Sequence, residues 1–163
     1  MKRFFARNRI FHPCVRSPTR GNFSDEPRDF LRVLRVLRGS NARMRVRLTK
    51  DFQFEAAQTL PCAPEGHKCR KMHGHSFKLE ISVEGETDPA TGWFYDHAEI
   101  SRAMKPLLDV LDHGYLNEIS GLENPTIEIM CAWFWKKLAP QLPGLAEIVV
   151  HETPTARCSY RGG

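Results

Sequence analysis

Residues 73–83 read His73-Gly74-His75-Ser76-Phe77-Lys78-Leu79-Glu80-Ile81-Ser82-Val83. His73, His75, Phe77, Leu79, Ile81 and Val83 share one parity, and Ser76, Lys78, Glu80 and Ser82 share the other. Successive side chains on a strand point to opposite faces, so this pattern predicts a half-buried strand. The two histidines continue the core-facing row at the strand's mouth. Two imidazoles on one face are a partial metal site, and imidazole suits zinc. Just upstream, Cys69 sits between Lys68 and Arg70, with Lys71 next. Positive charge beside a thiol favours the reactive thiolate. A metal-type pair and a thiol this close in sequence point to an active site.

Upstream, Met44 to Gln58 alternates as well, with Val46, Leu48, Phe52, Phe54 and Ala56 on one parity. This predicts a second strand, bulged near Lys50-Asp51, with the Gln58 amide ending the inward row. Residues 59–72 hold Pro61, Pro64 and Gly66 and read as a loop. Antiparallel pairing across that loop would bring Gln58 beside His73 and His75. Downstream, Asp96 fits an N-cap with Glu99 reaching back to it. Ile100, Met104, Leu107, Leu108 and Leu111 then form a helical stripe that Pro106 should kink or tighten.

Asp112-His113-Gly114 closes this helix, with glycine as terminator. Asn124 is expected to cap a second helix and Pro125 to open it. Ile127, Met130, Cys131, Phe134 and Leu138 form its buried stripe, and Trp133 and Trp135 are spare bulk for a subunit contact. Residues 145–153 read as a third strand with Ile148 and Val150 inward and Glu152 on the same parity. Residues 156–161 read as a fourth. His97 and His151 fall on a cap and on the opposite face, positions that suggest solvation. The order strand, strand, helix, helix, strand, strand predicts an α+β fold: a four-stranded, mainly antiparallel sheet with two helices on one face.

The 163 residues suit one domain with a real core, and 41% hydrophobic with 26% charged residues is a globular composition. Residues 1–43 hold 11 Lys and Arg against 3 Asp and Glu, whereas the remaining 120 hold 13 against 16. The sequence pI of about 9.1 therefore reflects an N-terminal tail, and the mildly acidic body argues against a nucleic-acid partner. No apolar run approaches the roughly 20 residues of a membrane span, so no membrane partner is expected. Five cysteines at irregular spacing argue against a secreted disulfide framework and for a reducing, cytoplasmic setting. The Arg-rich, acid-poor start is compatible with an organelle presequence or a basic amphipathic helix over residues 29–38. The preferred expectation is a disordered or mis-assigned extension over residues 1–43, Met44 being the initiator of a domain over residues 44–163.

Phe54-Glu55-Ala56-Ala57, Pro64-Glu65-Gly66-His67-Lys68-Cys69, His73-Gly74-His75, Leu111-Asp112-His113, Glu123-Asn124-Pro125-Thr126 and His151-Glu152-Thr153 together resemble the 6-pyruvoyltetrahydropterin synthase family. The spacing of Cys69 and His73 is that of its queuosine-pathway branch, which makes 6-carboxy-5,6,7,8-tetrahydropterin. The resemblance spans about residues 44–162. It implies the tunnelling fold, a homo-oligomer (trimer or hexamer) with active sites between subunits, and zinc as cofactor. It implies a small-molecule substrate, 7,8-dihydroneopterin triphosphate, and carbon–carbon cleavage to the 6-carboxy product with loss of acetaldehyde and triphosphate. The pyruvoyl-type elimination of triphosphate is the alternative within the family, and a non-catalytic pterin-binding paralogue the alternative outside enzymes.

By the same resemblance, His73 and His75 are zinc ligands and Cys69 is the proton-abstracting thiol. Asp112 and His113 complete the acid–base relay, and Glu152 accepts from the pterin's amino-pyrimidine edge. Lys68, Arg70 and Lys71 are candidate triphosphate contacts. One position departs: the family's third zinc histidine is Gln58 here. Three readings stand open. Gln58 ligates weakly with water completing the shell; His67 or Cys62 substitutes; or the site is metal-poor and its function altered.

Overall fold

A computed structural model of the protein describes residues 42–163, so the expectations for the N-terminal extension lie almost wholly outside it. Strand β1 (Arg45–Gln58) and strand β2 (His73–Glu86) form a long antiparallel pair. Their register runs from Arg45 opposite Glu86 to Gln58 opposite His73 without a shift. The expected bulge near Lys50-Asp51 is absent. Lys50 simply occupies the inward row, half-buried, with Nζ 3.5 Å from His97 Nδ1.

Helix α1 (His97–Leu111) runs on through Pro106, and Asp96 caps it by accepting from Ala98 N–H. Glu99 does not reach back to the cap; its carboxylate pairs with Arg102. Helix α2 (Ile127–Leu138) is capped by Thr126, not by Asn124. The Asn124 side chain instead accepts from Cys62 N–H, at 3.1 Å.

The sheet has five strands where four were expected, in the order β3-β1-β2-β4-β5. The additional one, β3 (Gly114–Tyr115), is a two-residue parallel pairing with Ala56 and Ala57 of β1. It was unreadable because two residues carry no periodicity. Strand β4 (Leu145–Thr153) pairs antiparallel with β2, and β5 (Ala156–Tyr160) with β4. The fold is α+β, a mixed sheet whose apolar face is covered by both helices.

One core joins that face. Phe54, Phe77, Leu79, Ile81, Ile148 and Val150 from the strands meet Ile100, Met104 and Leu111 of α1 and Met130, Phe134 and Leu138 of α2. Directly opposed residues of an antiparallel pair share a face, so Phe54 stacks on Phe77 with ring centroids 5.1 Å apart. Trp133 is buried and donates from Nε1 to Ser120 O, and half-buried Trp135 meets Tyr160 edge-on. Both are therefore committed to packing within the chain. Cys131 is fully buried, and burial pushes its thiol up to about 12.

The other face is polar and paired. Arg47 binds Glu84 and Glu147, and Arg161 donates to Glu147 at 3.0 Å. His151 lies 2.9 Å from Glu80, half-buried rather than solvated as its parity suggested. Among the described residues, no helix is long and apolar enough to cross a membrane.

Candidate active site

The β1–β2 register decides the site. Gln58 lies opposite His73 and Ala56 opposite His75, so all these side chains leave the sheet on the side of Phe54 and Phe77. The imidazoles stand perpendicular with centroids 5.0 Å apart, and His75 also meets Phe77 edge-on. His73 Nδ1 is 2.8 Å from Lys71 O. A carbonyl can only accept, so Nδ1 carries a proton, and in the neutral ring Nε2 is the acceptor. That Nε2 is buried with no hydrogen-bond partner.

Strand β4 adds a third group. Across the irregularity between His151 and Thr153, Glu152 turns its carboxylate to the histidines, with Oε1 3.5 Å from His75 Nε2. Donor atoms of His73, His75 and Glu152 all lie within 4.8 Å of one another. Fully buried Gln58 donates from Nε2 to Glu152 Oε1 at 2.9 Å, leaving its own Oε1 without a partner. An unsatisfied buried polar atom costs about 1–3 kcal/mol. An unpartnered imidazole nitrogen beside a second imidazole and a carboxylate is what a divalent cation satisfies, and two imidazoles with a carboxylate are a known catalytic zinc set. The residues present therefore fit a metal. Neither His67 nor Cys62 belongs to this cluster. His67 Nδ1 accepts from Cys69 N–H, and Cys62 is exposed.

Cys69 occupies a short 3₁₀ turn, Lys68–Arg70, that His67 caps. The loop carrying it is tied down at several points. Leu60 N–H donates to Cys69 O, the Asn117 amide brackets Thr59, and Arg70 Nη1 donates to Ala63 O at 2.7 Å. Arg70 thus staples the loop, while Lys68 and Lys71 form no ion pair among the described residues. The half-buried thiol lies outside the metal-type cluster.

Asp112 and His113 follow α1 directly and are clamped to β1. Asp112 Oδ1 accepts from Glu55 N–H at 2.9 Å, and His113 N–H donates to Glu55 O at 2.6 Å. His113 adopts φ +58, so the left-handed residue closing the helix is the histidine and not the expected glycine. Non-glycine residues rarely sit there, and such strain collects at functional sites. His113 Nδ1 is 3.1 Å from Asp112 Oδ1. The Glu55 N–H chiefly, with His113 behind it, holds the Asp112 carboxyl below its ordinary value of 3.8.

Two cavities meet at His75. One, of about 360 Å³, is lined by His75, His113, Glu55 and Ser76. The other, of about 630 Å³, is lined by His75, Glu152, His151 and Lys78. The predicted residues thus fall into three groups: the histidine–carboxylate cluster, the clamped Asp112–His113 pair and the Cys69 loop. Glu152's place beside the histidines was missed from sequence. The signal was its inward parity, which was of no use until the β2–β4 register was known.

A small α+β protein with an imidazole–carboxylate centre at a strand mouth and a clamped Asp–His pair beside it has the layout of an enzyme. A profile of the 6-pyruvoyl tetrahydropterin synthase family matches residues 47–163, and the chain belongs to that family. It is 42% identical over 117 residues to a Synechocystis 6-carboxy-5,6,7,8-tetrahydropterin synthase, covering 68% of this chain and 89% of that protein. It is 31% identical over 101 residues to the dihydroneopterin monophosphate aldolase of Pyrococcus furiosus, covering 62% and 82%. The structure of Caenorhabditis elegans 6-pyruvoyl tetrahydropterin synthase superposes with a TM-score of 0.68 at 26% identity, covering 75% of this chain and 99% of that one.

Proposed function

We propose that the protein is a zinc-dependent carbon–carbon lyase of queuosine biosynthesis. It takes 7,8-dihydroneopterin triphosphate and water to 6-carboxy-5,6,7,8-tetrahydropterin, acetaldehyde and triphosphate. The observation that carries this is the convergence of His73, with its bare buried Nε2, His75 and Glu152 beside the cavity that His113 lines. The 42% identity to a 6-carboxytetrahydropterin synthase supports the product.

Zinc held by His73 and His75 would polarise the hydroxyl and carbonyl oxygens of the substrate's side chain. Cys69, as thiolate, takes a proton from the adjoining carbon. Asp112 fixes the His113 ring, which moves the proton on. Glu152 lines the larger cavity, where its carboxylate can accept N–H bonds from the pterin's amino-pyrimidine edge. Lys68 and Lys71 meet the triphosphate, with Arg70 adding charge from its staple. Exposed His113 and the open cavities suit a homo-oligomer in which a second subunit completes each site. The setting is cytoplasmic.

The test is direct. Purified, zinc-loaded protein is given the substrate, and acetaldehyde and product mass are followed. Acetaldehyde with the 6-carboxy product is expected. Triphosphate loss without acetaldehyde would move the protein to the pyruvoyl reaction, and no turnover would sink the assignment.

A further inference from the structure

We infer that Glu152 is itself the third protein ligand of the divalent ion and that Gln58 is the positioning residue that aims it. The inference rests on the reading that this site serves a metal, and it goes beyond that reading by naming the ligand set. Donors and acceptors are out of balance at this site. A carboxylate only accepts, so Gln58 must turn its NH₂ to Glu152, as the 2.9 Å contact shows. Its carbonyl oxygen is then left buried with no donor. The residue facing it across the strands, His73, is held by Lys71 O in the form whose Nε2 is also a bare acceptor. Glu152 Oε1 lies beside His75 Nε2. Acceptors therefore gather here, and the Gln58 N–H that reaches them is already spent on the carboxylate. A cation between them meets the two imidazoles and the Glu152 carboxylate at once.

Glu152 is placed to ligate and Gln58 is not. The carboxylate is the stronger and harder donor, and its oxygen belongs to the set within 4.8 Å of both imidazoles. An amide oxygen is a poor ligand beside imidazole, whereas an amide N–H that donates to a ligating carboxylate fixes its orientation. The second oxygen of Glu152 stays free for a substrate N–H, so one carboxylate can serve both the ion and the pterin.

Metal-stripped full chain titrated with Co²⁺, read by its d–d absorption, tests this without turnover. One ion per chain is expected. Glu152→Gln should weaken binding by more than about 100-fold, and Gln58→Leu, which keeps all three donors, by about 10- to 100-fold. Gln58→His should supply a third imidazole and make the Glu152→Gln change nearly neutral in that background. Should Glu152→Gln fail to fold by circular dichroism, Gln58→Leu alone decides. Unchanged affinity and spectrum in both single variants would overturn the inference. So would no Co²⁺ uptake by the parent chain, or a sulfur-to-cobalt band abolished by Cys69→Ser. The lyase assay fails separately: acetaldehyde release alongside metal binding indifferent to Glu152 leaves the function standing and removes this inference. Glu152-dependent binding without acetaldehyde does the reverse.

Discussion

At the scale of single residues, the site works by committing backbone groups so that side chains are left with one job each. His73 Nδ1–H donates to Lys71 O, and Glu55 N–H donates to Asp112 Oδ1. That last bond holds the Asp112 carboxyl below its ordinary value, and its charged oxygen sits 3.1 Å from His113 Nδ1, where it can orient the ring. Asp112→Asn keeps an oxygen for Glu55 N–H but loses the charge. Turnover should fall by about 10²- to 10⁴-fold, the range of general acid–base catalysis, with bound metal unchanged. A variant that keeps full rate, measured by acetaldehyde release, would remove the pair from the relay. These residues were legible in sequence by type and spacing. What they touch was not, because Glu55 and Asp112 lie 57 positions apart and meet only through the fold.

At the scale of elements, the long strands and both helices declared themselves through periods of two and 3.6 residues. The errors sit where a residue serves a distant partner instead of its own element. Asn124 looked like a helix cap but ties down the loop at Cys62, and Trp133 looked spare but fills the core. The join between α1 and β3 shows the same effect. Gly114 is needed because a Cβ there would lie 2.9 Å from Val110 O and 3.1 Å from Leu111 O, backbone atoms of the helix that cannot swing aside. Gly114→Ala must therefore push the helix end off β1, and with it the His113–Glu55 clamp. A cost of about 1–3 kcal/mol in urea unfolding is expected, as for overpacking elsewhere, together with a loss of rate. Unchanged stability would show that the join is slack.

At the scale of the molecule, the sheet is held from two sides by different physics. Its apolar face is sealed by α1 and α2, and its polar face by charges that cross strands. Glu147 of β4, only 8% exposed, receives Arg47 of β1 and Arg161 beyond β5, and Arg47 continues to Glu84 of β2. Burial alone would raise the Glu147 carboxyl, but the bonds from Arg161 and Arg47 outweigh it and hold it below its ordinary value of 4.5. Arg47 first, then Arg45, lowers Glu84 in the same direction. A carboxyl more acidic in the folded than in the unfolded chain stabilises the fold in full above its unfolded value. That contribution is lost as pH falls through the folded value. Urea midpoints should therefore hold level at neutral pH and drop once pH passes below about 4.5. Glu147→Gln should lose about 1–3 kcal/mol at pH 7, because two guanidinium groups keep only neutral acceptors, and its acid decline should be shallower than the parent's. If the variant's midpoint falls as steeply with acid as the parent's, the polar face is not what makes the fold sensitive to acid.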